Sequence, residues 1–441
     1  MIIDFSLKNF RSFSEEAVLS MYAEHPKNNL LDNIAYPLDN GMGVLRSAVI
    51  YGANASGKSN ILLAMKALRY LISESHTFKE GKALGPYQPF LLGEKTNSAP
   101  VELAIEFVLP GSYRYVYAVS YNATEILSES LDFYPGRAKA NIFERKENDT
   151  WETMSFGGNY KGGSKRIPFF KNCSYLSKAG NNPAAPKMIR RVYDYFDQIF
   201  VLSSEIDMPV GQIYTSDNML ALTAGMLKKV DVGISEISKE ENDLSAFGVF
   251  PADMPPHVKD QFVSINKYNF FFHHKNAKGK DVKFEASEES DGTRKLFAML
   301  PAISSTLKLG NVLFLDELEN SFHPHIAEMI VKLFNDPETN VNNAQLIFTT
   351  HNIELMSPRL FRRDQIWFTS KNSQASKLYS LDEFDKSTVT PTSPFGDWYS
   401  DGRFGAVPHL KYQEIRTQVI ESLGLDEDQR RKTTSNLQEE E

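Results

Sequence analysis

Residues 45–73 read LRSAVIYGANASGKSNILLAMKALRYLIS, and this stretch decides the fold. Leu45 to Tyr51 is an apolar run of the length of a buried strand, while Ser59 to about Ser73 places its apolar residues three and four apart, as a helix does. Between them, GANASGKS fills the pattern GxxxxGK[ST] with Gly52, Gly57, Lys58 and Ser59. The glycines let the backbone wrap a phosphate with its N–H groups, and the helix N-terminus adds partial positive charge. Lys58 can then reach the β- and γ-phosphates of a nucleotide, and the Ser59 hydroxyl can bind Mg2+. The strand and the helix stand where this chemistry requires them. The whole loop, with Asn54, Ala55, Ser56 and the following Asn60, is therefore expected at the nucleotide.

Two further stretches fit the same chemistry. Val312 to Leu315 is a buried-strand run ending in Asp316 and Glu317. Behind a phosphate loop, Asp316 can hold the Mg2+ shell and Glu317 can polarise an attacking water as general base. The segment LIFTTHN sets His351 just past another apolar strand, 35 residues after Asp316. The carboxyl edge of a parallel sheet is where ligands bind, so His351 can reach and sense a γ-phosphate. A fourth string, Glu289-Ser290-Asp291-Gly292-Thr293, precedes a helical pattern. Its Ser290 and Gly292 turn offers a second anion-binding surface, and one chain cannot easily bring two such surfaces to one phosphate. It is expected to serve the nucleotide of another copy.

Around these motifs, residues 2–8 and 101–121 read as strands, the latter pair turning at Pro110 and Gly111. Residues 155–185 are rich in Gly, Asn, Lys and Ser and read as a flexible crossing, and 186–245 read as helical. Strands return at Asn266–His274 and Asp281–Glu285 as a hairpin, followed by strands and helices in alternation, which implies a mainly parallel sheet. The expected fold is an α/β phosphate-loop ATPase head with an antiparallel β subdomain and an inserted helical subdomain. Its parts are 1–180, with the phosphate loop and β subdomain; 181–260, the helical insertion; 261–425, the second part of the head; and a flexible tail over 426–441.

Composition sets the remaining bounds. With 441 residues, 41% of them hydrophobic and 24% charged, the chain has the length and make-up for a packed core. Its formal charge of −8 excludes a global basic footprint for nucleic acid. The single cysteine, Cys173, cannot form an internal disulfide and reads as a small buried hydrophobe. No run approaches the roughly 20 apolar residues of a membrane span, and MIIDFSLKNFRSF lacks the basic-then-apolar order of a signal peptide. A cytoplasmic location without membrane attachment is expected. His273 and His274 have no acidic or Cys companions at ligand spacing and read as hairpin residues. The 90 residues after His351 lack a paired-acid DxD, so no nuclease domain is expected within the chain.

The order of phosphate loop, ESDGT, LFLDELENSFHP and FTTHN resembles the ATPase heads of the ABC superfamily, in the branch holding SMC, RecF and OLD proteins. FSLKNFRSF at residues 5–13 is similar to the strand end that lies beside the nucleotide in that branch, which implies binding roles for Arg11 and Ser12. ESDGT then takes the place of the LSGGQ signature, and Glu319 to His323 that of the D-loop. The resemblance also implies a phosphate-sensing glutamine, for which Gln88 is the nearest candidate. Closer still, PFLLGEKTNSAPVELAIEF, YRYVYAV, RRDQIWF and DGRFGAVP resemble AbiLi/RloA-type ATPases, a group that includes the AriA component of the PARIS anti-phage system. That resemblance implies ATP and Mg2+ as ligands, and a head-to-head dimer or higher homo-oligomer with composite sites. It also implies a separately encoded effector nuclease, and leaves a phage-derived trigger protein and nucleic acid open as partners. A RecF- or SMC-like role in DNA repair or maintenance is the alternative. A transporter subunit fits poorly, because 258 residues separate Lys58 from Asp316.

Overall fold

In a computed structural model, the structure describes residues 1–24, 27, 29–109, 111, 113–202, 214, 217–230, 233–242, 259, 262–263, 266–319, 323–372, 374–408 and 411–423. The first third supplies β1 (Ile2–Lys8), β2 (Ala17–Ser20), a small ribbon of β3 (Ile34–Ala35) and β4 (Val44–Leu45), β5 (Ser47–Gly52) and α1 (Lys58–Glu74). Then come β6 (Val101–Val108), β7 (Arg114–Tyr121), β8 (Ile126–Tyr134), β9 (Ala140–Arg145) and β10 (Ser155–Phe156). The middle holds α2 (Tyr175–Gly180), α3 (Lys187–Asp197), β11 (Ile199–Leu202), α4 (Asp217–Val230) and β12 (Ile234–Glu241). The last part holds β13 (Tyr268–Lys275), β14 (Asp281–Glu285), α5 (Asp291–Leu309), β15 (Val312–Leu315), α6 (Pro324–Asn335) and β16 (Gln345–Thr349), then β17 (Ile366–Asn372), β18 (Ala375–Ser380) and α7 (Phe395–Ser400).

The sheet that carries the phosphate loop has the order β11-β15-β16-β5-β17-β18, parallel throughout except for β18, which returns antiparallel to β17. Every residue of β5, β15 and β16 is buried. That is why these strands read as unbroken apolar runs and not as alternation. The registers Leu315↔Phe348 and Thr349↔Ile50 bring the carboxyl ends of β15, β16 and β5 to one edge. Helix α1 covers a face of the core with Ile61, Leu62, Met65, Leu68, Leu71 and Ile72.

A seven-stranded antiparallel sheet, β10-β9-β8-β7-β6-β1-β2, forms the β subdomain. It shares one hydrophobic core with α1 and the parallel sheet. Gln345, at the start of β16, links the two sheets: its Oε1 accepts the Ile2 N–H at 2.5 Å, and its Nε2 donates to the carbonyls of Ile2 (2.9 Å) and Leu45 (3.0 Å). On the outer side, α3 stacks Tyr195 on Phe107 with ring centroids 4.6 Å apart.

The middle block departs from the helical expectation. Its helices α3 and α4 are present, but β11 is an edge strand of the parallel sheet, and β12 joins β13 and β14 in a separate three-stranded antiparallel sheet. The insertion is thus mixed in the part described; residues 203–213 and 243–258 lie outside the described residues, as do 424–441 with the expected tail. The stretch 155–185, expected as a flexible crossing, instead contains the short strand β10 and helix α2, and long-range bonds fasten it before that helix. Arg145 donates to the carbonyls of Lys171 (2.9 Å) and Cys173 (3.0 Å). Glu129 accepts from Tyr117 Oη (3.0 Å), Ser174 Oγ (2.8 Å) and the backbone N–H groups of Tyr175 (2.7 Å) and Leu176 (2.9 Å), capping α2. Cys173 is buried, and burial pushes its thiol up to about 12.

The string RRDQIW is structural. Arg362 pairs with Asp364 at 2.8 Å and donates to the carbonyl of Asn29, while Arg363 donates to the carbonyls of Val389 and Phe384, fastening the entry to β17. Residues from Val407 onward form a second unit, whose described helix α8 (Tyr412–Ser422) buries no residue. Among the described residues no helix is long and apolar enough to cross a membrane.

Candidate functional site

The phosphate loop leaves β5 through backbone that only glycine tolerates. A Cβ on Gly52 would lie 2.4 Å from Thr369 Oγ1, and one on Gly57, whose φ is 112°, would lie 2.6 Å from Ser376 Oγ and 2.8 Å from Ser12 Oγ. Ala55 takes a φ of 60° without being glycine. Lys58 is buried at the start of α1, and its Nζ donates to the carbonyls of Gly52 (2.9 Å) and Ala53 (3.3 Å). Desolvation pushes the Lys58 ammonium below its ordinary value, against the opposing pull of Asp316, Glu317 and Glu319.

Around the loop, Ser56 Oγ meets Thr369 Oγ1 at 2.6 Å, and Asn60 Nδ2 donates to Ser12 Oγ at 2.7 Å. Ser12 also accepts from Ser376 Oγ at 2.8 Å. Arg11, at φ 51°, donates its N–H to the Gln88 carbonyl at 2.7 Å. Arg11 and Gln88, with Phe10, Leu63, Lys66 and Tyr70, line a groove of about 330 Å3 alongside α1. So the structure brings Ser12 to the loop and sets Arg11, with Gln88, in the groove beside α1.

From the neighbouring strands come the acids. Ser59 Oγ donates to Asp316 Oδ1 at 3.1 Å, and the same oxygen accepts from Thr349 Oγ1 at 2.6 Å. Thr349 Oγ1 in turn accepts the Glu317 N–H at 2.8 Å. The His351 N–H donates to Glu319 Oε1 at 2.5 Å. Desolvation and the nearby Lys58 push the His351 imidazole below its ordinary value, while Glu319, Glu317 and Asp316 pull it upward. Lys58, Ser59, Asp316, Glu317 and His351 therefore converge at one sheet edge.

Thr349, Thr369 and Ser376 belong to this group and were not singled out in the sequence, and Glu319, named there only as the start of the D-loop string, belongs to it as well. Thr349 and Glu319 sit within FTTHN and DELE, where the outer residues drew attention; Ser376 is on an edge strand with no sequence signal. Ser290 and Gly292 behave differently. Ser290 Oγ accepts the Thr293 N–H at 3.1 Å as the N-cap of its own helix α5, and Gly292 is the second residue of that helix. His274, expected to lack an acidic companion, has one: its Nε2 lies 2.6 Å from Glu289 Oε1, one residue before the cap. Residues 320–322, within the D-loop expectation, lie outside the described residues.

A family model described as "AAA domain, putative AbiEii toxin, Type IV TA system" matches residues 47–167 and 217–357, more than half of the chain. The chain belongs to this AAA family. The match takes in the phosphate loop, the Asp316–Glu317 pair and His351, and this family member is an ATP-hydrolysing enzyme. No curated protein matches the sequence. Among solved structures, the chain is similar to the SMC head domain from Thermotoga maritima at 12% identity, over 86% of this chain and 98% of that one, with a TM-score of 0.39. It is similar to the Pyrococcus furiosus Smc head with an extended coiled coil, bound to the C-terminal domain of ScpA, at 12% identity, 87% and 97% coverage and a TM-score of 0.38. For the recombination mediator RecF the figures are 11% identity, 86% and 98% coverage, and 0.35.

Proposed function

We propose that this AAA-family ATPase binds ATP with Mg2+ at the shared edge of β5, β15 and β16, and that two copies close on two nucleotides to drive a defence assembly. The observation that carries the reading is the hydrogen-bonded run Ser59, Asp316, Thr349, Glu317, which makes one group of the phosphate loop, the acid pair and the end of β16. Loop N–H groups and Lys58 would hold the phosphates. The residues fit a magnesium ion, since the Ser59 hydroxyl and the Asp316 carboxylate face each other at 3.1 Å. Among the described residues no cluster of three or more His, Cys, Asp or Glu forms a protein-only cage. Mg2+ is commonly held this way, by one or two side chains with substrate phosphates and water. When bound, the ion neutralises charge on the phosphate oxygens.

Glu317 would take the proton of the attacking water, and His351 would face the γ-phosphate. Arg11, Ser12 and Gln88 would flank the rest of the nucleotide, with the groove beside α1 open to it. Ser290 and Gly292 would complete the site on a second copy, in an ABC-type head-to-head arrangement. The family's association with a putative AbiEii toxin and a type IV TA system supports a role in prokaryotic anti-phage defence. There the ATPase would hold a separately encoded effector nuclease and release or activate it on a phage-derived trigger.

The decisive variant is Glu317→Gln. It should keep ATP affinity and lose about a hundredfold or more in kcat, since a general base contributes on that scale. Wild-type turnover would remove Glu317 from the role. The product of a neighbouring reading frame should co-purify with this variant in ATP; salt-dependent stimulation of hydrolysis by DNA, with no bound effector, would favour DNA maintenance instead.

A further inference from the structure

Glu319 follows the Asp316–Glu317 pair by two residues, in the string DELE, and two features set it apart. Its Oε1 accepts the backbone N–H of His351 at 2.5 Å, so this carboxylate reaches from the turn after β15 to the residue just past β16. Its Oε2 is buried and has no hydrogen-bond partner among the described residues. A buried carboxylate oxygen without a partner is costly, because its lost hydration is not replaced. The contrast with Glu129 is instructive: there a buried carboxylate with a structural task accepts four hydrogen bonds across its two oxygens. Glu319 is only half satisfied, and a buried oxygen left without a partner calls for an explanation.

The charge of Glu319 is felt by the surrounding site. It opposes the desolvation of Lys58 and of His351, and it adds to the burial that pushes the Tyr51 phenol well above its ordinary value. Tyr51 Oη donates to the Asn352 carbonyl at 3.2 Å, so the peptide after His351 is gripped from β5 as well.

We propose that Glu319 is a positioning residue for ATP hydrolysis: it clamps the His351 backbone to the turn that carries Asp316 and Glu317, fixing the histidine relative to the acid pair. The inference rests on the proposed site and deepens it. The clamp needs an acceptor oxygen at this position and does not need a negative charge. It acts through His351, so its effect is contained in that of His351.

The test uses the full-length protein, with ATP hydrolysis and equilibrium ATP binding measured on Glu319→Ala, Glu319→Gln, His351→Ala and the Glu319→Ala/His351→Ala double variant. Glu319→Ala should lower kcat by about 10- to 100-fold, the usual scale for a residue acting through a site group, with ATP affinity within about threefold. Glu319→Gln keeps the acceptor and should recover most of that loss. The double variant should be no slower than His351→Ala alone. Unchanged kcat in Glu319→Ala, a Gln variant as slow as the Ala variant, or additive losses in the double variant would each overturn the clamp. Lys58→Ala and Glu317→Gln run in parallel separate this outcome from failure of the site itself: if both hydrolyse ATP normally, the site is misplaced, whereas if both are slow and the Glu319 pattern fails, only the clamp is wrong. Should Glu319→Ala not fold, Glu319→Leu, which keeps the bulk and removes the acceptor, takes its place in each comparison.

Discussion

Glu317 holds a backbone φ of 52°, in the left-handed region that side chains beyond glycine seldom occupy. Such a conformation costs on the order of 1–3 kcal/mol and persists only where its surroundings over-determine it. Here they do, because the Glu317 N–H is bound to Thr349 and the preceding Asp316 N–H to the Leu202 carbonyl at 3.0 Å. Arg11 and Ala55 share this backbone region beside the same loop. Residue type alone pointed to Glu317, but nothing in a glutamate announces its φ. His351 offers a test at the same scale. Desolvation and Lys58 hold its pKa below the ordinary 6.5. Added phosphate charge stabilises the imidazolium, so nucleotide should shift it upward. An NMR titration of the imidazole should give a midpoint below about 6.5 in the free protein and a higher one with a non-hydrolysable ATP analogue. A midpoint at or above 6.5 without nucleotide, or a downward shift with it, would separate His351 from Lys58 and the phosphates.

At the scale of elements, β15 matches the sequence reading at both ends, Val312–Leu315, because a strand buried on both faces reads as an unbroken apolar run, and the apolar Leu346–Phe348 likewise marks β16. The elements that escaped did so for the converse reason. β11 is only IFVL, and it follows α3 so closely that its apolar residues blend into the helical spacing of MIRRVYDYFDQIF. β12 reads ISEISKEE, with its two isoleucines three apart, which suits a helix as well as a strand. β18, ASKLYS, is an edge strand placed by pairing with β17 and by the Ser376 contact to Ser12, neither of which leaves a periodic trace. The stretch 155–185 misled through its composition: glycine and asparagine suggest a loose crossing, yet it holds helix α2, and long-range bonds from Glu129 and Arg145 fasten it there. Replacing Glu129 by Ala leaves four donors without their acceptor. Each unsatisfied buried group costs about 1–3 kcal/mol, less whatever water recovers, so a loss of at least about 3 kcal/mol is expected. A urea midpoint lowered at unchanged slope checks this, and an unmoved midpoint would mean that Glu129 does not hold α2 and the crossing.

The whole molecule raises a question that no single residue settles. Five of the expected site residues, Lys58, Ser59, Asp316, Glu317 and His351, meet at one sheet edge, whereas Ser290 caps its own helix and Gly292 lies in that helix's first turn. A helix N-terminus carries partial positive charge and is suited to an anion, and the composite reading gives it the nucleotide of a second copy. Complementation tests this without knowledge of the effector. Lys58→Ala removes the phosphate cation, and Gly292→Glu places negative charge where the partner's phosphates would sit while remaining compatible with a helix N-terminus. Each variant alone should be nearly inactive in ATP hydrolysis. In a twofold dimer mixed at equal amounts, about half the molecules are heterodimers, each with one intact site built from the wild-type loop of one copy and the wild-type turn of the other. Recovery of about a quarter of wild-type activity is therefore expected on mixing. If each chain completes its own site, every site in the mixture is broken, and activity stays at the level of the variants alone.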